Sequence, residues 1–165
     1  MTREDAVHHR GKDALFIIHN SSIEPFVAQA IAHEAVSIAS HGSIDREGRG
    51  HPRTSGTYGR LLGRYVRERK VLPLMDALRK ASLLPAQRLE ARVPRMRQKG
   101  RIRQGADADL VIFDADRIID RATYQQPTRP SEGVRWLLVN GVAVVREGVV
   151  QEGIYPGQPV RAAVR

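Results

Sequence analysis

The sequence contains no cysteine, few aromatic residues and no long apolar run. Without cysteine, its 165 residues can form no disulfide, no thiolate metal site and no cysteine nucleophile. No apolar run approaches the roughly 20 residues of a membrane helix, and residues 1–12 are polar and charged, unlike a secretion signal. We therefore expect a cytoplasmic protein with no membrane contact.

Aromatic residues make up only 5% of the chain, although its net charge is +9. The excess is concentrated between Arg60 and Arg103, where 14 Lys and Arg face three acidic residues. Such a stretch can neutralise phosphates, but its arginines lie on the polar sides of helical patterns and few rings are available to stack on bases. We do not expect nucleic acid as a partner, and a basic nucleic-acid-binding remnant stays as an alternative.

The first part of the chain has the pattern of a strand, a helix and a strand. Ala14–Ile18 is a short apolar run typical of a strand. Ser21 and Glu24 have the spacing of a capping box, which predicts a helix that reaches Glu34. Ala35–Ser40 is a second short strand candidate. This alternation is typical of parallel α/β sheets.

A polar loop and two helices follow. Ser40–Ser55 is rich in Gly, Ser, His and Arg, which predicts a loop of the kind that carries function in α/β folds. From Thr57 onward, apolar residues recur at helical spacing, at Tyr58, Leu61, Leu62, Tyr65 and Val66, with Arg60, Arg64 and Arg67 pointing away. A second helix is predicted from Pro73, as a first helical residue, to a limit at Pro85.

After residue 99 the pattern is that of β-strands. Gly100–Ile102 and Ala108–Asp114 are strand candidates around a turn at Gly105, and the run Leu110–Phe113 predicts a buried strand. Asn140-Gly141 favours a type I′ turn, because both residues adopt positive φ. It predicts a hairpin of Val134–Val139 and Val142–Val145.

Several ordered motifs carry a family resemblance. They are Lys99–Asp114 (KGRIRQGADADLVIFD), Val139-Asn140-Gly141, His51-Pro52-Arg53 followed by Gly56-Thr57-Tyr58 and Leu62–Val66, Leu83–Leu89, and Arg121–Tyr124 with Pro127 and Gly133. Together they resemble the C-terminal portion of N-acyl-D-amino-acid deacylases (D-aminoacylases) in the amidohydrolase superfamily. The resemblance covers the chain from about Ser21 onward.

The resemblance implies a mixed α/β fold built from parts of two units. Residues 1–90 would form the last βα unit of a (β/α)8 metal-dependent hydrolase barrel, with an active-site loop and helices. Residues 91–165 would supply the C-terminal strands of a composite β-sandwich. A complete barrel and sandwich need more residues than this chain has.

The resemblance also implies a reaction, the hydrolysis of C–N amide bonds in N-acyl-D-amino acids with zinc as cofactor. In the family, an Asp in a Ser-Asp-Gly motif acts as general base, whereas this sequence has Ser40-His41-Gly42. His41 is thus the catalytic candidate, and Asp45 is a weaker one. Arg53 stands where the family places an arginine on the substrate's α-carboxylate, a task suited to its bidentate fork.

The sequence predicts no metal ligands. His8-His9, His19, His33 and His51 form no recognisable ligand spacing, and no H-x-H or H-E-x-x-H motif is present. We therefore expect the chain alone to bind no zinc and to be an inactive, truncated fragment. The alternative is one subunit of a split amidohydrolase, whose barrel a partner chain completes.

Overall fold

The computed structural model describes residues 22–162, in which a run of helices precedes a four-stranded sheet. The helices are α1 (Glu24–Ala32), α2 (Arg53–Arg60), α3 (Leu74–Leu78) and α4 (Leu84–Leu89). Wider π-helical turns continue α2 over Leu61–Glu68 and join α3 to α4 over Arg79–Leu83, and a 3₁₀ turn follows at Pro94–Gln98. Among the described residues, no helix is long and apolar enough to cross a membrane.

Helix α1 begins at Glu24 and ends at Ala32, so it is shorter at its end than the sequence predicts. Pro25 lies in its first turn, where the fixed φ of proline is compatible with a helix. Glu24 is therefore the first helical residue and not the third, so the predicted capping box is wrong. Ser21, its other member, lies outside the described residues.

The segment Ala35–Ser40 is not a strand of the described sheet, and this prediction is wrong. Its backbone contacts a helical segment instead, since the Ile38 N–H donates to the Lys80 carbonyl at 3.0 Å. A strand requires a neighbouring strand to satisfy its remaining backbone groups. Ala14–Ile18, the predicted neighbour, lies outside the described residues.

Helix α2 begins at Arg53 rather than Thr57, so the last residues of the predicted loop are helical. The predicted apolar face is confirmed at Leu61 and Tyr65, which are buried. Tyr58 is 46% exposed instead and borders a groove towards the sheet. The buried core comprises Leu61, Tyr65, Leu72 and Ala77, and α1 packs on it through Val27 and Ile31.

Glycines on one side of α2 and its π-helical continuation allow a close approach by the second half of the chain. Gly56, Gly59 and Gly63 share a helical face by their spacing. A Cβ atom at Gly63 would lie 2.4 Å from the Ile118 carbonyl oxygen, and one at Gly59 would lie 2.5 Å from Ser131 Oγ. Only glycine permits these contacts.

Several cations of the basic stretch Arg60–Arg103 form hydrogen bonds or ion pairs with other parts of the molecule. Arg60 Nη1 lies 3.0 Å from Asp120 Oδ2, and Arg67 Nη1 donates to the Ile118 carbonyl at 2.6 Å. These two arginines, which the sequence predicts to point away from the apolar face, therefore lie against residues 115–120, which cover that side of the helix. Eight of the 14 cations have such partners: Arg60, Arg67, Arg69, Lys80, Arg95, Lys99, Arg101 and Arg103.

Helical structure continues past Pro85 to Leu89, so the predicted end at Pro85 is wrong. A proline inside a helix lacks an N–H donor and crowds the preceding turn. That turn, Arg79–Leu83, is π-helical, and its greater width relieves the crowding. Pro73 has extended backbone angles and precedes α3 as its N-cap instead of being its first residue.

The sheet is antiparallel in the order β1 (Leu110–Phe113), β2 (Val134–Val139), β3 (Val142–Arg146) and β4 (Val149–Val150). The predicted hairpin is confirmed: Asn140 and Gly141 have φ of 48° and 79°. The second tight turn uses Glu147 and Gly148, with φ of 48° and 81°. The sequence does not predict β4, because glutamate is uncommon at positive φ.

Strand β1 forms as predicted but is not buried. It lies at the edge of the sheet, and Val111 and Ile112 are each 54% exposed. The prediction of a buried strand is therefore wrong, because nothing among the described residues covers this edge. Gly100–Ile102 is not a strand either, and Ile102 is 90% exposed.

The mixed α/β class is confirmed. Its assignment to a barrel unit and a sandwich, with a boundary near residue 90, stays a prediction.

Candidate functional site

The loop between α1 and α2 is a compact turn. Ile44 and Gly50 form a β-bridge, and Asp45 Oδ1 accepts the Arg49 N–H at 2.7 Å while Oδ2 accepts Arg49 Nε at 2.8 Å. The Arg49 backbone N–H is the main cause of the lowered pKa of Asp45. These bonds commit the Asp45 carboxylate to the loop, which gives this second catalytic candidate a structural role.

The structure brings the two principal candidates into contact. Arg53 Nε donates to the His41 carbonyl oxygen at 2.8 Å, and Arg53 Nη2 lies 3.2 Å from His41 Nδ1. The backbone of His41 is left-handed, with a φ of 44°. Gly42 follows with no room for a side chain, since a Cβ atom would lie 2.4 Å from Thr54 Oγ1. The end of the loop is thus held against the first turn of α2.

His51 supports Arg53 from the other side. Its Nδ1 accepts the Arg53 backbone N–H at 3.1 Å, which satisfies one of the unpaired donors at the start of α2. Its ring lies edge-on to the Tyr124 ring at 5.2 Å, with Nε2 at 3.4 Å from the Tyr124 hydroxyl. Sequence reasoning missed both roles, although the His51-Pro52-Arg53 and Arg121–Tyr124 motifs contain these residues.

A cavity of about 440 Å³ lies between α2 and residues 120–125. Arg53, His51 and Tyr124 line it, together with Arg60 and Asp120. Burial alone would lower the pKa of Arg60, but the hydrogen bond and charge of Asp120 raise it instead. Arg53 thus lines a cavity in which the other arginine, Arg60, is paired with Asp120, an arrangement suited to an anionic group beside Arg53.

The described residues do not fit a zinc site. Residues 22–162 contain no cluster of three or more His, Asp or Glu side chains that could hold a metal ion. Two side chains that could in principle bind a metal already have other partners. His41 Nδ1 faces the Arg53 guanidinium, and the Asp45 carboxylate is bonded to Arg49.

Comparison with known proteins identifies the family. The sequence profile of the amidohydrolase family matches residues 46–145, more than half of the chain. The chain therefore belongs to the amidohydrolase family, and the resemblance to D-aminoacylases is confirmed.

Within this family, the chain is similar to deacylases of N-acyl-D-amino acids. The chain is 43% identical over 118 residues to an N-acyl-D-glutamate deacylase of Alcaligenes xylosoxydans xylosoxydans, an alignment that covers 72% of this chain and 23% of that protein. It is 36% identical over 124 residues to a D-aminoacylase of the same organism, which covers 75% of this chain and 24% of that protein. The chain thus spans about a quarter of the length of these relatives.

A solved deacylase structure also matches this chain over part of its length. The N-acyl-D-glutamate deacylase of Bordetella bronchiseptica, complexed with zinc and a phosphonate inhibitor that mimics the tetrahedral intermediate, has a TM-score of 0.70 and 35% identity to this chain. The match covers 85% of this chain and 28% of that one. The similar proteins are metal-dependent amidohydrolases that act on N-acyl-D-amino acids.

Proposed function

We propose that this chain supplies the carboxylate-binding part of an N-acyl-D-amino-acid deacylase, which hydrolyses the C–N amide bond of its substrate. The observation that carries the proposal is the position of Arg53, at the wall of a cavity and in a region 35% identical to an inhibitor-bound deacylase. A guanidinium pairs with a carboxylate through two parallel hydrogen bonds, so it can fix both the position and the orientation of the substrate.

The described residues can account for binding of the substrate but not for activation of water. Hydrolysis in metal-dependent amidohydrolases requires an activated water and a general base, and the described residues assemble no metal ligand set. We infer that the isolated chain does not hydrolyse N-acyl-D-amino acids. Activity requires the metal-bearing part of the barrel, which the described residues do not supply, and we propose that a partner chain provides it.

Exposed apolar side chains support a partner of that kind. Ile23 and Phe26, at the start of α1, are 62% and 66% exposed, and Val111 and Ile112 on β1 are 54% exposed. Side chains of this size are usually covered. A partner that completes the barrel and the sheet would bury them.

The test is complementation. The metal-bearing portion of the 43% identical N-acyl-D-glutamate deacylase, without the region that matches this chain, is co-expressed with the 165-residue chain and supplied with zinc. We expect the pair to release acetate from N-acetyl-D-glutamate and each part alone to release none. Arg53→Ala should abolish most of the gain, whereas Arg49→Ala, a loop arginine paired with Asp45, should retain it.

Two results would contradict the proposal. One is acetate release by the isolated chain. The other is a co-purified pair that remains inactive, or whose activity is insensitive to Arg53→Ala.

A further inference from the structure

We propose that His41 is a positioning residue that fixes the Arg53 guanidinium for the substrate carboxylate, and that it does not act on the reacting bond. The inference rests on the proposed function, because it assigns Arg53 the same ligand. It changes the role of His41 from the general base implied by its place in the sequence.

The two contacts of Arg53 with His41 use one edge of the guanidinium. A guanidinium has five N–H donors in a fixed plane. Nε and Nη2 donate to the carbonyl oxygen and to Nδ1 of His41 at 2.8 and 3.2 Å. The adjacent edge, formed by Nη1 and Nη2, is the one that receives a carboxylate end-on. His41 therefore orients the fork without occupying the edge that binds an anion.

The backbone at His41 makes this double contact possible. Its left-handed conformation turns the carbonyl and the ring of the same residue towards Arg53. A left-handed backbone at a residue other than glycine has an energetic cost, and such strain is concentrated at functional sites. The loop is held in place by Thr54 Oγ1, which donates to the Ser43 carbonyl at 3.1 Å.

The same contacts disfavour a role as general base. A neutral imidazole has one nitrogen that accepts and one that carries a proton. Arginine can only donate, so the 3.2 Å contact between Arg53 Nη2 and His41 Nδ1 is a hydrogen bond in the tautomer that carries its proton on Nε2, and that tautomer has no free lone pair to take a proton from water. His41 is also not among the residues that line the 440 Å³ cavity, whereas Arg53 is.

Nuclear magnetic resonance of the 165-residue chain tests the contact directly. We expect an unprotonated Nδ1 in the nitrogen spectrum of His41, and Arg53 Nη2 hydrogens that exchange slowly with water, because Nη2 is the atom that contacts the His41 side chain. His41→Ala should accelerate this exchange about tenfold, the effect of one lost hydrogen bond. His41→Asn should restore it, because asparagine tolerates a left-handed backbone and its Oδ1 can accept in place of Nδ1. His33→Ala, at an exposed histidine outside the cavity, is the matched control.

Steady-state kinetics of the complemented pair separates positioning from proton transfer. We expect His41→Ala to raise KM for N-acetyl-D-glutamate about tenfold with kcat changed less than about twofold, and His41→Asn to return KM to its original value. A loss of kcat at unchanged KM, or a protonated Nδ1, would overturn the inference. If the unaltered pair is inactive, the proposed function fails, while the Arg53 exchange rates still decide whether His41 positions Arg53.

Discussion

At the residue scale, the burial of Lys80 is costly in free energy unless the amine is hydrogen-bonded, because its charged side chain is only 3% exposed. Its Nζ donates to the Ile31 carbonyl at 2.9 Å and to the His33 carbonyl, at the end of α1 where carbonyls lack helical partners. Lys80→Met removes the Lys80 donor from the Ile31 carbonyl, whereas the His33 carbonyl still accepts the Val36 N–H at 3.1 Å, so we expect a loss of about 1–3 kcal/mol in the free energy of unfolding by urea. The exposed Lys70→Met should cost less than about 0.5 kcal/mol. Equal losses would contradict this role.

Gly63 gives a second prediction, in which two effects oppose each other. Alanine is favoured over glycine in a helix by about 1 kcal/mol. A Cβ atom at Gly63, however, would lie 2.4 Å from a backbone oxygen of Ile118, which cannot rotate away. Overpacking of this kind costs about 1–3 kcal/mol, so we expect Gly63→Ala to destabilise the protein in thermal unfolding. Gly157→Ala, which has nothing within 4 Å, should not. A stabilised Gly63→Ala variant would show that the two segments do not pack closely.

The residues of the candidate site differ in how far the sequence predicts them. His41 and Arg53 are selected by their place in family motifs, but their contact joins residues 12 positions apart and depends on how the loop closes. The capping of α2 by His51 is a local contact, and the shift of the helix start from Thr57 to Arg53 hides it. The packing of Tyr124 on His51 spans 73 positions, and no periodicity in the sequence reports it.

At the scale of elements, β1 is joined to the β2–β3 turn by two aspartates and a lysine. Lys99 Nζ lies 2.8 Å from Asp107 Oδ2 and also contacts Asp109. The Asn140 N–H donates to Asp109 Oδ1 at 2.8 Å. The hydrogen bond from Lys99 lowers the pKa of Asp107. Burial alone would raise the pKa of Asp109, but Asn140 and Lys99 lower it more.

These lowered pKa values predict an acid-sensitive junction. A carboxylate whose pKa is lower in the folded than in the unfolded state stabilises the fold above about pH 4, and this stabilisation is lost as the pH falls through the lowered pKa. We expect urea unfolding to show a decrease in stability from pH 6 to pH 3, and Asp109→Asn to show a smaller one. Asp116→Asn should keep the full decrease. An unchanged decrease in Asp109→Asn would contradict the prediction.

Local chemistry determines which elements the sequence predicts. The β2–β3 hairpin is specified by Asn140-Gly141, whose backbone preference requires no distant partner. Pro85 is misleading, because the adjustment that accommodates it is a π-helical turn in the residues before it. Ala35–Ser40 has the composition of a strand, but strand formation depends on a neighbour and not on composition alone.

At the scale of the whole molecule, the sheet has an apolar edge. The strands β1 and β4 are its two margins, and the exposed Val111 and Ile112 lie on the longer one. An edge strand offers unpaired backbone groups as well as side chains, and natural proteins protect such edges with charges or a covering segment. In the proposed deacylase, the partner would provide that cover.

The isolated chain should therefore associate with itself through β1. We expect sedimentation velocity to show a larger average mass at higher protein concentration, and Ile112→Lys to reduce this increase because a charged side chain opposes edge-to-edge pairing. Met75→Lys is the matched control: Met75 is 72% exposed on α3, so the substitution adds the same charge and removes apolar surface away from the sheet. An equal reduction by both substitutions would mean that charge or general apolar exposure, and not the β1 edge, causes the association.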